Sequence, residues 1–243
     1  MNPIFKKKYI EPVKLRFLSF DELNQRSLPK FSPDLAEMFT KTGYCFVHIP
    51  KNGGTSVESI LFNGQKVGHR TWQELMSFAP DYFQRWKKFA IVREPVERFL
   101  SAYDYLSKGG RNLIDAEVGR RFIKRYDDVN AFVTSLQKGN KFSQLSQYFH
   151  FRPQSEYVLS NDNKCMVNHF LLFENYNQEL SSLLEIQVVE VKHENKTVGK
   201  RTTKNSLDKN SIDFIKNVYS RDFDLHAFVK KQGVDNDSYE CKV

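Results

Sequence analysis

The 243-residue sequence predicts an α/β fold with a mainly parallel sheet flanked by helices. Three observations predict it. Apolar runs at residues 44–49, 88–92 and 167–173 have the length and the aromatic and β-branched content of buried strands. Residues at helical spacing follow each run, and strands that alternate with helices assemble into parallel sheets. The first two runs also pass directly into helices, one across a glycine turn and one at Pro95.

Taken in order, residues 1 to about 40 carry Pro3, Pro12, Pro29 and Pro33 among scattered aromatics and read as an irregular arm over the domain. The strand at 44–49 ends in Pro50-Lys51-Asn52-Gly53-Gly54, and Val57, Ile60 and Leu61 give the next helix, residues 55–62, its apolar face. Helical spacing returns at 71–78, ahead of the second strand. Pro95 presets the first turn of a helix in which Val96, Phe99, Leu100, Tyr103 and Leu106 share a face until Gly109-Gly110 stops it. Further helices are expected at 116–126, 129–137 and 176–184, and around Ile212, Ile215, Val218 and Tyr219. Between the last two lie a short apolar piece at 188–191 and a polar, basic stretch that runs to Asn210. No internal repeat is present, and the length suits one domain over residues 1–243.

Lys and Arg number 37 against 29 Asp and Glu, a net charge of +8 that suits an anionic ligand. A basic nucleic-acid-binding module is the reading from outside enzymology, but RNP-like, zinc-finger and basic-repeat motifs are missing and the aromatics follow core spacing. Cys45, Cys165 and Cys241 are odd in number without Cys-x-x-Cys spacing, so they are expected as ordinary thiols, with no disulfide framework and no metal site. The basic N-terminus has no signal-peptide apolar run behind it, and no apolar stretch approaches the roughly 18 residues of a membrane span. The expectation is a soluble, cytoplasmic protein without a nucleic-acid partner.

The segment from Tyr44 to Ser56 reads as a phosphate cradle: a strand, a lysine, two glycines, two hydroxyls and then a helix N-terminus. The nucleotide-triphosphate loop places its lysine after the last glycine, whereas Lys51 precedes Gly53 and Gly54. The ammonium therefore stands on the strand side of the turn, toward the reacting end of a ligand. A kinase or nucleotide hydrolase is the competing enzyme class; the lysine position and the lack of a clear strand ending in a magnesium-binding aspartate speak against it. The second segment, from Ile91 to Tyr103, releases Arg93 from a strand and sets Ser101 about two turns into the next helix. A guanidinium fork plus a hydroxyl makes a second phosphate grip.

With both segments in view, the sequence resembles the sulfotransferases that use 3′-phosphoadenosine-5′-phosphosulfate (PAPS), in particular the carbohydrate, family 2 type branch. The resemblance covers residues 44–225 and implies a P-loop-like three-layer fold. It implies that Lys51, Asn52, Gly53, Gly54, Thr55 and Ser56 hold the 5′-phosphosulfate, that Arg93 and Ser101 hold the 3′-phosphate, and that no metal takes part. Asn52 departs from the threonine often found there. The implied reaction moves a sulfuryl group from PAPS to an acceptor hydroxyl, most naturally on a glycan, and releases adenosine 3′,5′-bisphosphate. Lys51 would stabilise charge growing on the leaving phosphate oxygen.

Gly68-His69-Arg70 resembles the Gly-His element that carries a base in some members, which makes His69 a candidate general base, with Glu58 and Glu74 as alternatives and a structural role still open. His48 reads as a core or supporting residue, and Arg98 as a structural salt bridge. Arg152 and Gln154 lie in a Pro-Gln-Ser element, where substrate contact and turn or capping duty are equal explanations. Lys200 and Arg201 belong to a basic stretch that either covers the nucleotide or is a solvated loop. The segment from Tyr219 to Phe223 resembles a terminal family element that packs the last helix.

Overall fold

The computed structural model describes residues 11–27, 33–185 and 202–232. In chain order they begin with α1 (Glu11–Leu15), α2 (Phe20–Ser27), α3 (Pro33–Thr42), β1 (Tyr44–Phe46), α4 (Gly54–Leu61), α5 (Trp72–Phe78), α6 (Pro80–Arg85) and β2 (Lys87–Val92). They continue with α7 (Pro95–Ser107), α8 (Leu113–Phe122), α9 (Val129–Leu136), α10 (Lys141–Ser146) and α11 (Ser155–Val158). The last elements are β3 (His169–Leu172), α12 (Tyr176–Leu184), α13 (Lys209–Val218) and α14 (Ser220–Gln232).

The expected α/β class is borne out. β1, β2 and β3 form one parallel sheet in that order, with Phe46 opposite Phe89 and Val92 opposite Leu172. Parallel neighbours need crossover connections, and helices supply them here.

The chain divides into two compact units. The one that holds the sheet comprises the described residues of 33–98, 153–185 and 218–232. Phe89, Ala90, Ile91 and Val92 are fully buried, as a central parallel strand requires. α3 packs on β1, α12 on β3, and α14 on both β2 and β3. Phe39 meets Phe62 and Trp86 edge to face, while Leu225 and Val229 bring α14 into the same core. Each such fully buried side chain contributes roughly 1.5–3 kcal/mol.

The other unit, residues 11–27, 99–152 and 202–217, is helical. Phe99, Phe132 and Phe151 pack ring on ring at its centre. Asp115 is buried there and accepts the hydroxyls of Tyr105 and Tyr148, both at 2.6 Å, with His150 Nε2 at 3.4 Å. Burial pushes this carboxyl up, but the bonds from His150, Tyr105 and Tyr148 prevail and hold it down at about 2.

Several expectations are corrected. The arm expected to be irregular holds α1, α2 and the start of α3, and Arg121 fastens it by donating to the carbonyls of Leu15 and Leu18. The first strand ends at Phe46, three residues early, because the backbone turns out of the ladder toward the glycine corner. α6, α10 and α11 are too short to show a period, and the late helix is two helices, α13 and α14, parted at Tyr219. Cys165 is disulfide-bonded rather than a thiol, whereas Cys45 is a free, buried thiol pushed up by burial. The apolar piece at 188–191 lies outside the described residues. Among the described residues, no helix is long and apolar enough to cross a membrane.

Candidate active site

After Phe46 the chain keeps one bond to the sheet, Val47 N to Phe89 O at 2.9 Å, and then turns at Pro50 into α4. Lys51 and Gly53 both take left-handed backbone, with φ of 71° and 79°. Glycine adopts this freely; lysine pays about 1–2 kcal/mol, a strain that clusters at functional turns. Gly53 caps α4 and supplies no side chain, and the first turn has no acidic residue. No side chain caps the opening amides of α4, although Ser56 N donates to the Gly53 carbonyl at 3.1 Å. Gly54 leaves no room for more: a Cβ there would stand 2.1 Å from His48 Nε2.

The second corner, at the end of β2, meets the first. Arg93 is buried, and its Nη1 donates to the Lys51 carbonyl at 3.0 Å. Its guanidinium carbon lies 4.4 Å from the centroid of Phe173, the ring that also flanks Gly53. Glu97 stands 3.8 Å from Nη2 and makes a loose ion pair with it. One turn on, the buried Arg98 donates Nε to the Pro50 carbonyl at 3.2 Å. Two cationic side chains from one strand-to-helix corner therefore hold the backbone of the other.

A network that the sequence reading did not foresee joins the corners. Asn52 is buried and donates Nδ2 to Ile91 O at 2.6 Å and to Gln154 Oε1 at 2.7 Å. The Gln154 carboxamide also pairs with the Arg93 peptide, Oε1 accepting from its N at 3.0 Å and Nε2 donating to its O at 2.8 Å. Asp222 on α14 accepts the backbone N–H of Gln154 at 2.7 Å and of Ser155 at 2.9 Å. Burial pushes Asp222 up against the opposing charge of Arg98 and these two bonds.

His69 Nδ1 lies 3.2 Å from the His48 carbonyl oxygen, which can only accept, so this contact requires the proton on Nδ1. The two imidazoles touch edge to face with centroids 4.3 Å apart. His48 Nδ1 is 3.1 Å from Glu58 Oε1, and Glu58 also takes Lys66 Nζ at 2.8 Å and Val67 N at 3.1 Å. Burial pushes Glu58 up, yet His48 and Lys66 outweigh it and hold it below the usual glutamate range. A carboxylate so held is a poor base. Glu74 is also committed, closing a capping box with Thr71 at the start of α5.

A protein-family model described as "Sulfotransferase family" matches residues 38–229. The chain belongs to the sulfotransferase family. No curated protein and no solved structure matches it.

In this sulfotransferase, Lys51, Asn52, Gly53, Gly54, Thr55, Ser56, His69 and Arg93 all fall in the sheet-bearing unit, on the two corners and the adjoining Gly68-His69-Arg70 segment. Lys51, Gly53 and Thr55 are half-buried; Asn52, Gly54 and Ser56 are buried. Ser101 is half-buried on α7 and belongs to the helical unit, as does Arg152. Gln154 is wholly buried and its carboxamide is spent on Asn52 and Arg93, which favours the structural of the two duties open to it. Lys200 and Arg201 lie outside the described residues. Among the described residues, no cluster of three or more His, Cys, Asp or Glu is arranged to hold a metal.

Proposed function

We propose that the protein transfers a sulfuryl group from PAPS to a hydroxyl of a carbohydrate acceptor. The observation that supports this reading is the 3.0 Å bond from Arg93 to the Lys51 carbonyl, because it brings the cation at the end of β2 against the backbone of the lysine loop. One nucleotide bearing phosphates at both ends is the ligand such a pair fits. The glycine corner, with uncapped amides and no nearby carboxylate in its first turn, suits the 5′-phosphosulfate. Arg93 suits the 3′-phosphate as a fork of donors, and the resemblance assigns Ser101 to the same group.

In the reaction the acceptor oxygen forms a bond to sulfur while the bond from sulfur to the phosphate oxygen breaks, and the nucleotide leaves as adenosine 3′,5′-bisphosphate. The Lys51 ammonium offsets charge building on the leaving oxygen, which favours the transition state over the ground state. His69 Nε2 takes the hydroxyl proton, its ring held by the Nδ1 bond to His48 O. Gly54 and the His48–Glu58 pair support this side by fixing where the His48 backbone lies.

The test is transfer of labelled sulfate from PAPS to a panel of glycans, lipid-linked sugars, tyrosyl peptides and simple alcohols. A glycan should be labelled, and Lys51→Ala should lower the rate by at least about 100-fold. Labelling confined to peptides or alcohols would refute the carbohydrate acceptor, and an unchanged rate in Lys51→Ala would refute the mechanism.

A further inference from the structure

Four of the hydrogen bonds described above close into a ring with the Lys51–Asn52 peptide bond. Lys51 is bonded in sequence to Asn52, whose side chain holds the Gln154 carboxamide. That carboxamide pairs with both polar atoms of the Arg93 peptide, and the Arg93 guanidinium returns to the Lys51 carbonyl. Gln154 is the member contributed by a third segment of the chain, 61 residues from Arg93 and 102 from Asn52. It is itself pinned by Asp222, through the Gln154 backbone N–H.

We infer that Gln154 is a positioning residue that sets the spacing between the two phosphate grips, and through it the preference for a nucleotide phosphorylated at both ends over one phosphorylated at the 5′ end alone. The inference rests on the proposed reading of the two corners. Its physical basis is the match of donors and acceptors. Oε1 takes two N–H groups, Asn52 Nδ2 and Arg93 N, and Nε2 satisfies a carbonyl, all in a site closed to water. Each buried group left without its partner is costly, so the loop and the β2 corner keep one separation. A ligand that reaches only one grip does not sense that separation. A ligand that bridges both does.

The experiment compares the dissociation constants of adenosine 3′,5′-bisphosphate and AMP for the wild-type chain, Gln154→Met and Gln154→Glu, with folding checked by circular dichroism and thermal melting. Both variants should lose bisphosphate affinity by about tenfold while AMP affinity changes little, so that the ratio of the two shrinks. A structural role alone would lower the melting temperature and leave the ratio intact. Gln154→Glu supplies a rescue. Protonated, its carboxyl donates one bond to Arg93 O and accepts from Asn52 and Arg93 N as the amide does; ionised, it donates none. Its ratio, measured relative to wild type at each pH, should therefore recover as pH falls. Should Gln154→Met fail to fold, Asn52→Ala cuts the same ring from the loop side and should shrink the ratio equally. Folded variants with an unchanged ratio, or a Gln154→Glu ratio indifferent to pH, would overturn the inference. Wild-type protein that fails to distinguish the two nucleotides would instead refute the reading of the corners.

Discussion

At Lys51, backbone conformation and chemistry pull in different directions. Its φ of 71° is one that glycine adopts freely, yet the proposed mechanism requires a charged side chain there. Lys51→Gly should therefore be more stable than Lys51→Ala by about 1 kcal/mol in urea unfolding, with neither supporting transfer. Equal stabilities would show that the left-handed turn is not strained. Three residues on, Gly54 is constrained from outside rather than by its own torsion angles, because His48 fills the volume of its missing Cβ. Gly54→Ala should cost about 1–3 kcal/mol, and His48→Ala in the same chain should recover much of that loss. Simple addition of the two costs would mean that the contact does not decide the residue at position 54.

Elements place these residues by what they lack as much as by what they hold. α4 starts on a glycine with no side-chain cap and no acidic first turn, whereas α5 starts with a full Thr71–Glu74 capping box two residues after His69. One helix end carries no side-chain cap, as the proposed phosphosulfate grip requires; the other is closed by its own side chains. In the helical unit, α8 carries Asp115 against the Tyr105, Tyr148 and His150 side chains. Its folded-state value of about 2 lies below the ordinary 3.8, so the stabilisation is complete above the unfolded value and is lost as pH falls from about 4 toward 2. That difference corresponds to about 2 kcal/mol. Asp115→Asn should be less stable than wild type by about that amount at pH 6, and the gap in urea-unfolding free energy should close at pH 2. A gap that stays constant with pH would mean that Asp115 acts through shape rather than charge.

Over the whole molecule, what the sequence made legible was local. The strand, glycine turn and helix at residues 44–61, and the strand passing through Arg93 into Pro95, declare themselves by period and by Gly and Pro placement. The same locality explains the misses. α6, α10 and α11 are too short to establish a period, and the break at Tyr219 between α13 and α14 falls inside a continuous apolar pattern. Gln154 stands out only through its Pro-Gln-Ser element, and its duty is hidden because its partners Asn52, Arg93 and Asp222 are 102, 61 and 68 residues away. The commitment of Glu58 to His48 and Lys66, which removes it as a rival base, depends on a fold-back of 8–10 residues that spacing alone does not reveal. Family membership follows from the match over residues 38–229; the proposed donor, phosphorylated at both ends, rests on the claim that the two corners, joined by the bond from Arg93 to the Lys51 carbonyl, grip one nucleotide.

Titration calorimetry of adenosine 3′,5′-bisphosphate, ATP and AMP into wild type and Arg93→Ala tests that claim most directly. Wild type should bind the bisphosphate at least about tenfold more tightly than either other nucleotide, and Arg93→Ala should erase the preference. Equal affinities for all three, or a preference that survives the loss of Arg93, would contradict it.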